Sequence, residues 1–291
     1  MIKDPHVIDR FSAIPFVIKI LFNETFLSHA TGFIYKYENK DYLITNWHVM
    51  SGRHAVNKRP LNDYSALPNV LQIFPTVYDG KTCRRLNSGI KINLRNSDDS
   101  SYLWLEHPLY SNEVDVSAIE IPEPQEKLAH VNMVFDRETC YETHIAQDVF
   151  ILGYPLENYI ISGFPIWKRG TIATSPAFNV SGTPKYLIDT ATRSGMSGSP
   201  VFASFLNTGF RRATGELVRP GKDKLRDSDF SCAFPIFEFI GVYSSRIGDP
   251  SVNDTLQLGN VWKASVIEEI IMGNKLYEES FKEAIEGEVI D

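Results

Sequence analysis

The sequence predicts an all-β chain built as two successive barrels, with a helix near the C-terminus. Three observations carry that expectation. From Ala13 to Ile121 short β-branched and aromatic runs alternate with polar turns, the pattern of strands in small barrels. A stretch from Pro122 to Asp148, with two prolines and many charges, interrupts the pattern and suits a crossing between two β units. Strand-like runs then resume at Val149 and continue to Tyr243.

In chain order, the first strands are expected at Phe16 to Ile18, Thr31 to Tyr37 and Tyr42 to Thr45, with Glu38 to Asp41 as the turn between the last two. After the break, Val149 to Leu152 leads into Gly153-Tyr154-Pro155. Further runs follow at Gly170 to Thr174, Tyr186 to Asp189, Val201-Phe202 and Phe239 to Tyr243. Between Phe205 and Ser231 lies a hydrophilic insertion in which Arg211, Arg212, Arg219, Lys222, Lys224 and Arg226 outnumber the acids. It reads as a surface loop beside the second barrel. Trp262, Val266, Ile267, Ile270 and Ile271 recur at helical spacing, so an amphipathic helix is expected to pack on that barrel. The tail beyond it is acidic, with Glu278, Glu279, Glu283, Glu286 and Glu288. The implied boundaries are 1–125 for the first barrel, 126–148 for a linker, 149–272 for the second barrel with its 205–231 insertion, and 273–291 for the tail.

A chain of 291 residues, 43% of them hydrophobic and 22% charged, can bury a sizeable core as one large domain or two small ones. The net charge of -7 argues against a general attraction to nucleic acid or to acidic membrane surfaces. Cys83, Cys140 and Cys232 are far apart in sequence, which fits neither a disulfide framework nor a zinc site. Acidic residues and prolines occupy the N-terminal region where a secretory signal would be basic and apolar. No run approaches the roughly 18 apolar residues that span a membrane. A reducing, cytoplasmic environment is the expectation.

The strongest chemical signal is the small-residue cluster Asp189-Thr190-Ala191-Thr192-Arg193-Ser194-Gly195-Met196-Ser197-Gly198-Ser199-Pro200 between two strand-like runs. Such a turn can expose one hydroxyl, and Gly195 permits a backbone in which its N–H and that of Ser197 converge on a developing oxyanion. A serine hydroxyl is a poor nucleophile without a neighbouring base. His48, where the apolar run Tyr42 to Thr45 breaks off, has the best context for that base. His29, His54, His107, His130 and His144 have weaker ones, and His6 lies in the terminus. A carboxylate must then hold the imidazole in one tautomer. Asp115 opens the strand-like run to Ile121 and fits; Asp98 and Asp99 sit in a polar turn and are expected to face water.

These residues together resemble the trypsin-like (chymotrypsin-fold) serine peptidases, particularly the disulfide-free bacterial members of the high-temperature-requirement type. Thr45-Asn46-Trp47-His48-Val49 resembles the family's Thr-x-x-His-Val motif, and Asp115-Val116-Ser117-Ala118-Ile119 its Asp-[Leu/Val]-x-x-[Leu/Ile] motif. Gly195 to Pro200 resembles Gly-x-Ser-Gly-[Gly/Ser]-Pro, and the order His, Asp, Ser is the same. The likeness runs from about Ala13 to Ile271.

The resemblance implies two six-stranded Greek-key barrels and a serine endopeptidase with His48, Asp115 and Ser197 as its triad. It places the oxyanion hole at Gly195 and Ser197, the base of the primary pocket at Ala191, and substrate-backbone binding along Ser244, Ser245 and Arg246. A peptide or protein is the implied substrate, and no metal or cofactor is needed. Met196 stands where extracellular trypsins carry an aspartate, and Ala191 supplies no acid to attract a basic residue. Only about twenty residues follow Ile271, too few for a peptide-binding module, so the basic insertion and the acidic tail are the candidate sites for a regulatory partner. The alternative is a catalytically silent barrel used for binding, since folds outlive their chemistries. A serine hydrolase acting on esters is a further reading, and nucleic-acid binding by the basic insertion is disfavoured by its lack of interleaved aromatics.

Overall fold

The computed structural model describes residues 10–62, 65–78, 82–86, 88–122, 127–134, 142–155, 163–211, 218, 223–246 and 257–279. His6, Cys140, Arg212, Arg219, Lys222 and the glutamates beyond 279 lie outside the described residues.

The first unit opens with β1 (Phe16–Phe22), β2 (Thr25–Tyr37) and β3 (Lys40–Thr45), paired antiparallel in sequence order. Tyr37 pairs with Lys40 across a two-residue turn in which Glu38 takes a φ of 51°. One helical turn follows, α1 (Trp47–Ser51), closed by Gly52 at φ 67°. Next come β4 (Val70–Ile73), β5 (Thr76–Tyr78), β6 (Cys83–Arg85), β7 (Ile90–Asn93), β8 (Leu105–Glu106) and β9 (Ser117–Glu120). The second unit comprises β10 (Asp148–Gly153), β11 (Ile166–Ile172), β12 (Lys185–Asp189), β13 (Pro200–Arg211), β14 (Phe230–Arg246) and β15 (Leu258–Lys263). The chain then forms α2 (Ser265–Gly273) and β16 (Lys275–Leu276).

The second unit closes as a six-stranded barrel in the order β10-β11-β12-β15-β14-β13. Its core holds Val149, Ile151, Ile188, Val201 and Val261. The first unit differs from the six-stranded barrel expected of it. It is a curled sheet of eight strands, β16-β8-β9-β3-β2-β1-β4-β7. Two of these strands, β8 and β16, are two residues long and carry no readable periodicity. β16 comes from the far end of the chain, so part of the expected tail is built into the first unit.

β2 and β3 bury both faces. Ala30, Ile34 and Leu43 face the core of the first unit, whereas Phe33, Tyr35, Tyr42 and Ile44 join a second cluster with Phe202, Phe239, Val242 and Trp262 from the barrel. That double burial is why these strands read as continuous apolar runs rather than as alternation. The same inter-unit cluster receives Val266, Ile267, Ile270 and Ile271 of α2, and the helix rests on β8 and β9. It therefore packs at the junction, against the first sheet, rather than on the second barrel alone. Burying four such side chains contributes on the order of 6–12 kcal/mol of gross hydrophobic stabilisation, which ties α2 to the structure that carries Asp115.

The expected loop at 205–231 also differs in part. β13 and β14 pair without a break from Phe202↔Phe239 to Arg211↔Phe230, because the strand ladder satisfies their backbone groups as a loop would not. Among the described residues no helix is long and apolar enough to cross a membrane.

Candidate active site

β3 ends at Thr45, and Asn46 turns the chain into α1, which carries His48. Asn46 is fully buried, and its Nδ2 donates to the main-chain carbonyl of Asp115 at 2.6 Å. This bond pins the entry to β9 against the start of α1. The His48 main-chain N–H donates to Asp115 Oδ1 at 2.9 Å, and the ring Nδ1 lies 2.7 Å from Asp115 Oδ2. From β14, the Ser244 hydroxyl donates to the same Oδ2 at 2.5 Å.

Burial alone pushes the Asp115 carboxyl up, but the adjoining His48 and the hydrogen bonds from its ring, from Ser244 and from the His48 N–H hold it below the usual carboxylate range. Asp115 is thus an ionised acceptor at neutral pH. The proton on a neutral His48 ring accordingly resides on Nδ1, which leaves the Nε2 lone pair able to accept a proton.

The nucleophile candidate sits on a tight turn. Met196 N donates to Arg193 O at 3.3 Å and Ser199 N to Met196 O at 3.1 Å, while Gly195 and Gly198 take φ of 91° and 82°. A side chain at 198 would meet more than backbone strain, because a Cβ there would stand 2.1 Å from the Thr31 carbonyl oxygen and 2.4 Å from Thr45 Oγ1. The turn is pressed directly onto the first sheet. Thr31 of β2, fully buried, fastens it there: its N–H donates to Ser197 O at 2.9 Å and its hydroxyl donates to Gly195 O at 2.7 Å. Thr31 Oγ1 in turn accepts from Tyr154 N at 3.1 Å, and its carbonyl accepts from Thr45 Oγ1 at 2.9 Å. Among the described residues the N–H groups of Gly195 and Ser197 have no acceptor.

Two cavities meet at Ser197 and His48. One, of about 570 Å³, also reaches Asp115, Ser244, Ser245 and Trp262; the other, of about 300 Å³, is lined by His29, Ser194 and Gly195. The Ser197 hydroxyl donates to the Ser244 carbonyl at 3.1 Å, not to His48.

His48, Asp115, Ser197, Ser244 and Ser245 are therefore brought into one cleft. Ala191 is exposed and borders neither cavity. Arg246 pairs through its backbone with Gly259 of β15. Ser199 is fully buried, where a Cβ at Gly153 would meet its Oγ at 2.1 Å, which excludes it as the reactive hydroxyl. Asp98 and Asp99 lie in an exposed turn, as expected. His107 is buried against Glu269, and His54 Nδ1 accepts the Val56 N–H at 3.2 Å. Reasoning from sequence missed Thr31 and Asn46; the one available signal was a polar residue inside or ending an apolar run.

A family model described as a trypsin-like peptidase domain matches residues 30–205. No curated protein matches the chain. Among solved structures, the serine endoprotease from Yersinia pestis is similar with a TM-score of 0.47 and 12% identity, over 90% of this chain and 63% of that one. This chain thus spans less than two thirds of that protein's length. The active form of the Rv3671c protease from M. tuberculosis is similar with a TM-score of 0.44 and 16% identity, over 96% and 94% of the two chains.

Proposed function

The chain belongs to the trypsin-like peptidase domain family, and we propose that it is a serine endopeptidase working through His48, Asp115 and Ser197. The observation that carries the proposal is the 2.7 Å contact between His48 Nδ1 and an ionised, triply held Asp115 in the cleft that also contains Ser197. Ser197 Oγ attacks a peptide carbonyl as His48 Nε2 takes its proton, and the free N–H groups of Gly195 and Ser197 receive the oxyanion. Collapse of the tetrahedral intermediate, with His48 protonating the leaving amine, gives an acyl-enzyme. Water deprotonated by His48 then hydrolyses it.

Two cavities that meet at Ser197 and His48 suit a chain that passes through the cleft, and hence internal cleavage. For turnover, Ser197 must exchange its bond to the Ser244 carbonyl for one to His48. That resting bond is what favours the second reading, a barrel that binds peptides without cutting them. Digestion of a mixed peptide library separates the two. Products absent with Ser197→Ala and His48→Ala but abundant with the unaltered protein support the peptidase; an intact library with all three supports the silent module. Cys83 is buried, and cysteines spaced far apart in sequence suit a reducing compartment; we take the cytoplasm as the place of action. A regulatory partner would meet the basic 205–231 segment or the acidic tail.

A further inference from the structure

The larger cavity beside Ser197 is bordered by both units. On the His48 side the apolar Ala55, Val56 and Leu61, the last two 82% and 52% exposed, stand among His54, Asn112, Glu113 and Asp115. On the barrel side it is polar, formed by Thr183, Lys185, Ser245 and Asn260 around the indole of Trp262. The Lys185 ammonium lies 5.0 Å from the centre of that indole ring. Among the described residues it makes no hydrogen bond or ion pair. Glu113 also borders the cavity but is exposed and solvated.

We propose that Lys185 is a specificity-determining residue, which selects peptides that place a carboxylate side chain (Asp or Glu) in the cavity running along Ser244 and Ser245. The inference rests on the peptidase reading for its consequence in cleavage, though not for binding. A half-buried ammonium has lost much of its hydration, and burial lowers the pKa of Lys185 even though the Asp115 charge works in the opposite sense. A substrate carboxylate would restore the missing counter-charge in a place where water screens poorly. The aromatic face beneath the cation holds it without neutralising it. A basic substrate side chain at the same point would add a second unpaired cation, so selectivity comes from repulsion as well as attraction. The exposed Val56 and Leu61 face the other side of such a peptide and suit an apolar neighbour.

The test uses Ser197→Ala protein as an uncleaving binder, with fluorescent peptides matched in all but one position, where Glu or Asp is exchanged for Gln, Asn or Lys. The acidic member of each set is expected to bind at least about tenfold more tightly than its amide, the range of a charge-assisted hydrogen bond. Lys185→Met should abolish that ratio, and Lys185→Glu should reverse it in favour of Lys peptides. If a variant does not fold, the same ratio measured on the Ser197→Ala parent must fall as salt is raised from 50 mM to 500 mM. In the cleaving protein, product masses should show Asp or Glu enriched at one fixed distance from the cut. Equal affinity for acidic and amide peptides, or a preference that survives Lys185→Met, overturns the proposal. Binding selectivity without cleavage would instead retain Lys185 and remove the peptidase.

Discussion

Ser197 donates its hydroxyl hydrogen to the carbonyl of Ser244 at 3.1 Å, while the hydroxyl of Ser244 donates to Asp115 at 2.5 Å. One residue of β14 thereby touches two of the three proposed catalytic groups. Removing the Ser244 side chain leaves the carbonyl in place and strips one hydrogen bond from the carboxylate. Hydrogen bonds to charged groups contribute about 1.5–3 kcal/mol, so Ser244→Ala should lower kcat/KM by about 10- to 100-fold with the fold intact. Steady-state kinetics on a peptide substrate checks this.

Asp115→Asn retains the shape of the site but replaces the acceptor that fixes the His48 tautomer. The amide can present its NH₂ to Nδ1, which moves the ring proton to Nε2 and removes the base. A loss on the order of 10⁴ in kcat is expected, with the circular dichroism spectrum unchanged. Comparable turnover by this variant would show that the carboxylate does not orient His48.

Thr31 joins the first sheet to the Gly195 and Ser197 turn. Thr31→Val keeps the main-chain bond to Ser197 but leaves the Gly195 carbonyl and the Tyr154 N–H without their hydroxyl partner. A stability loss of about 1–3 kcal/mol follows from such buried unpaired groups. Because the turn also carries the proposed oxyanion donors, kcat should fall with little change in KM. Thr31→Ser should restore both, a result that thermal unfolding and kinetics together would reveal.

Gly198 admits no side chain. At φ 82°, with a carbonyl oxygen 2.1 Å from the position of a Cβ, Gly198→Ala must either displace the turn from β2 or strain it. The expected cost exceeds about 3 kcal/mol, read as a large drop in the denaturant midpoint or as insoluble protein.

The pH dependence of stability follows from Asp115. Its folded carboxyl titrates below the usual carboxylate range, so between the folded and unfolded pKa values the unfolded chain binds the extra proton. Its contribution is fully present above about pH 4–5 and is lost as the pH falls through the folded value. Urea unfolding at a series of pH values should show the advantage of the unaltered protein over Asp115→Asn shrinking in acid. An advantage that grows in acid would contradict the assignment.

The sequence made legible those parts of the fold and candidate site that depend on local pattern. Small residues around Ser197, the break in apolar character at His48 and the acid before Val116 each have a local chemical reason, and the structure sets all three side chains in one cleft. What escaped was set by distant partners. β8 and β16 are too short to show a period, and β16 pairs with a strand about 170 positions earlier. α2 is amphipathic by its own sequence, but nothing in that sequence says that its apolar face meets β8 and β9. Thr31 and Asn46 act through hydrogen bonds to main-chain atoms far along the chain, which composition and spacing do not encode. The extended β13–β14 ladder was hidden by polar residues that favoured a loop.

The most direct measurement is covalent labelling by a fluorophosphonate, read by intact mass and by sequencing of the labelled peptide. A histidine-activated Ser197 predicts one adduct per chain, located on Ser197, that is absent from Ser197→Ala and strongly reduced in His48→Ala. No adduct on the folded, unaltered protein, or an adduct that persists in Ser197→Ala, would contradict it.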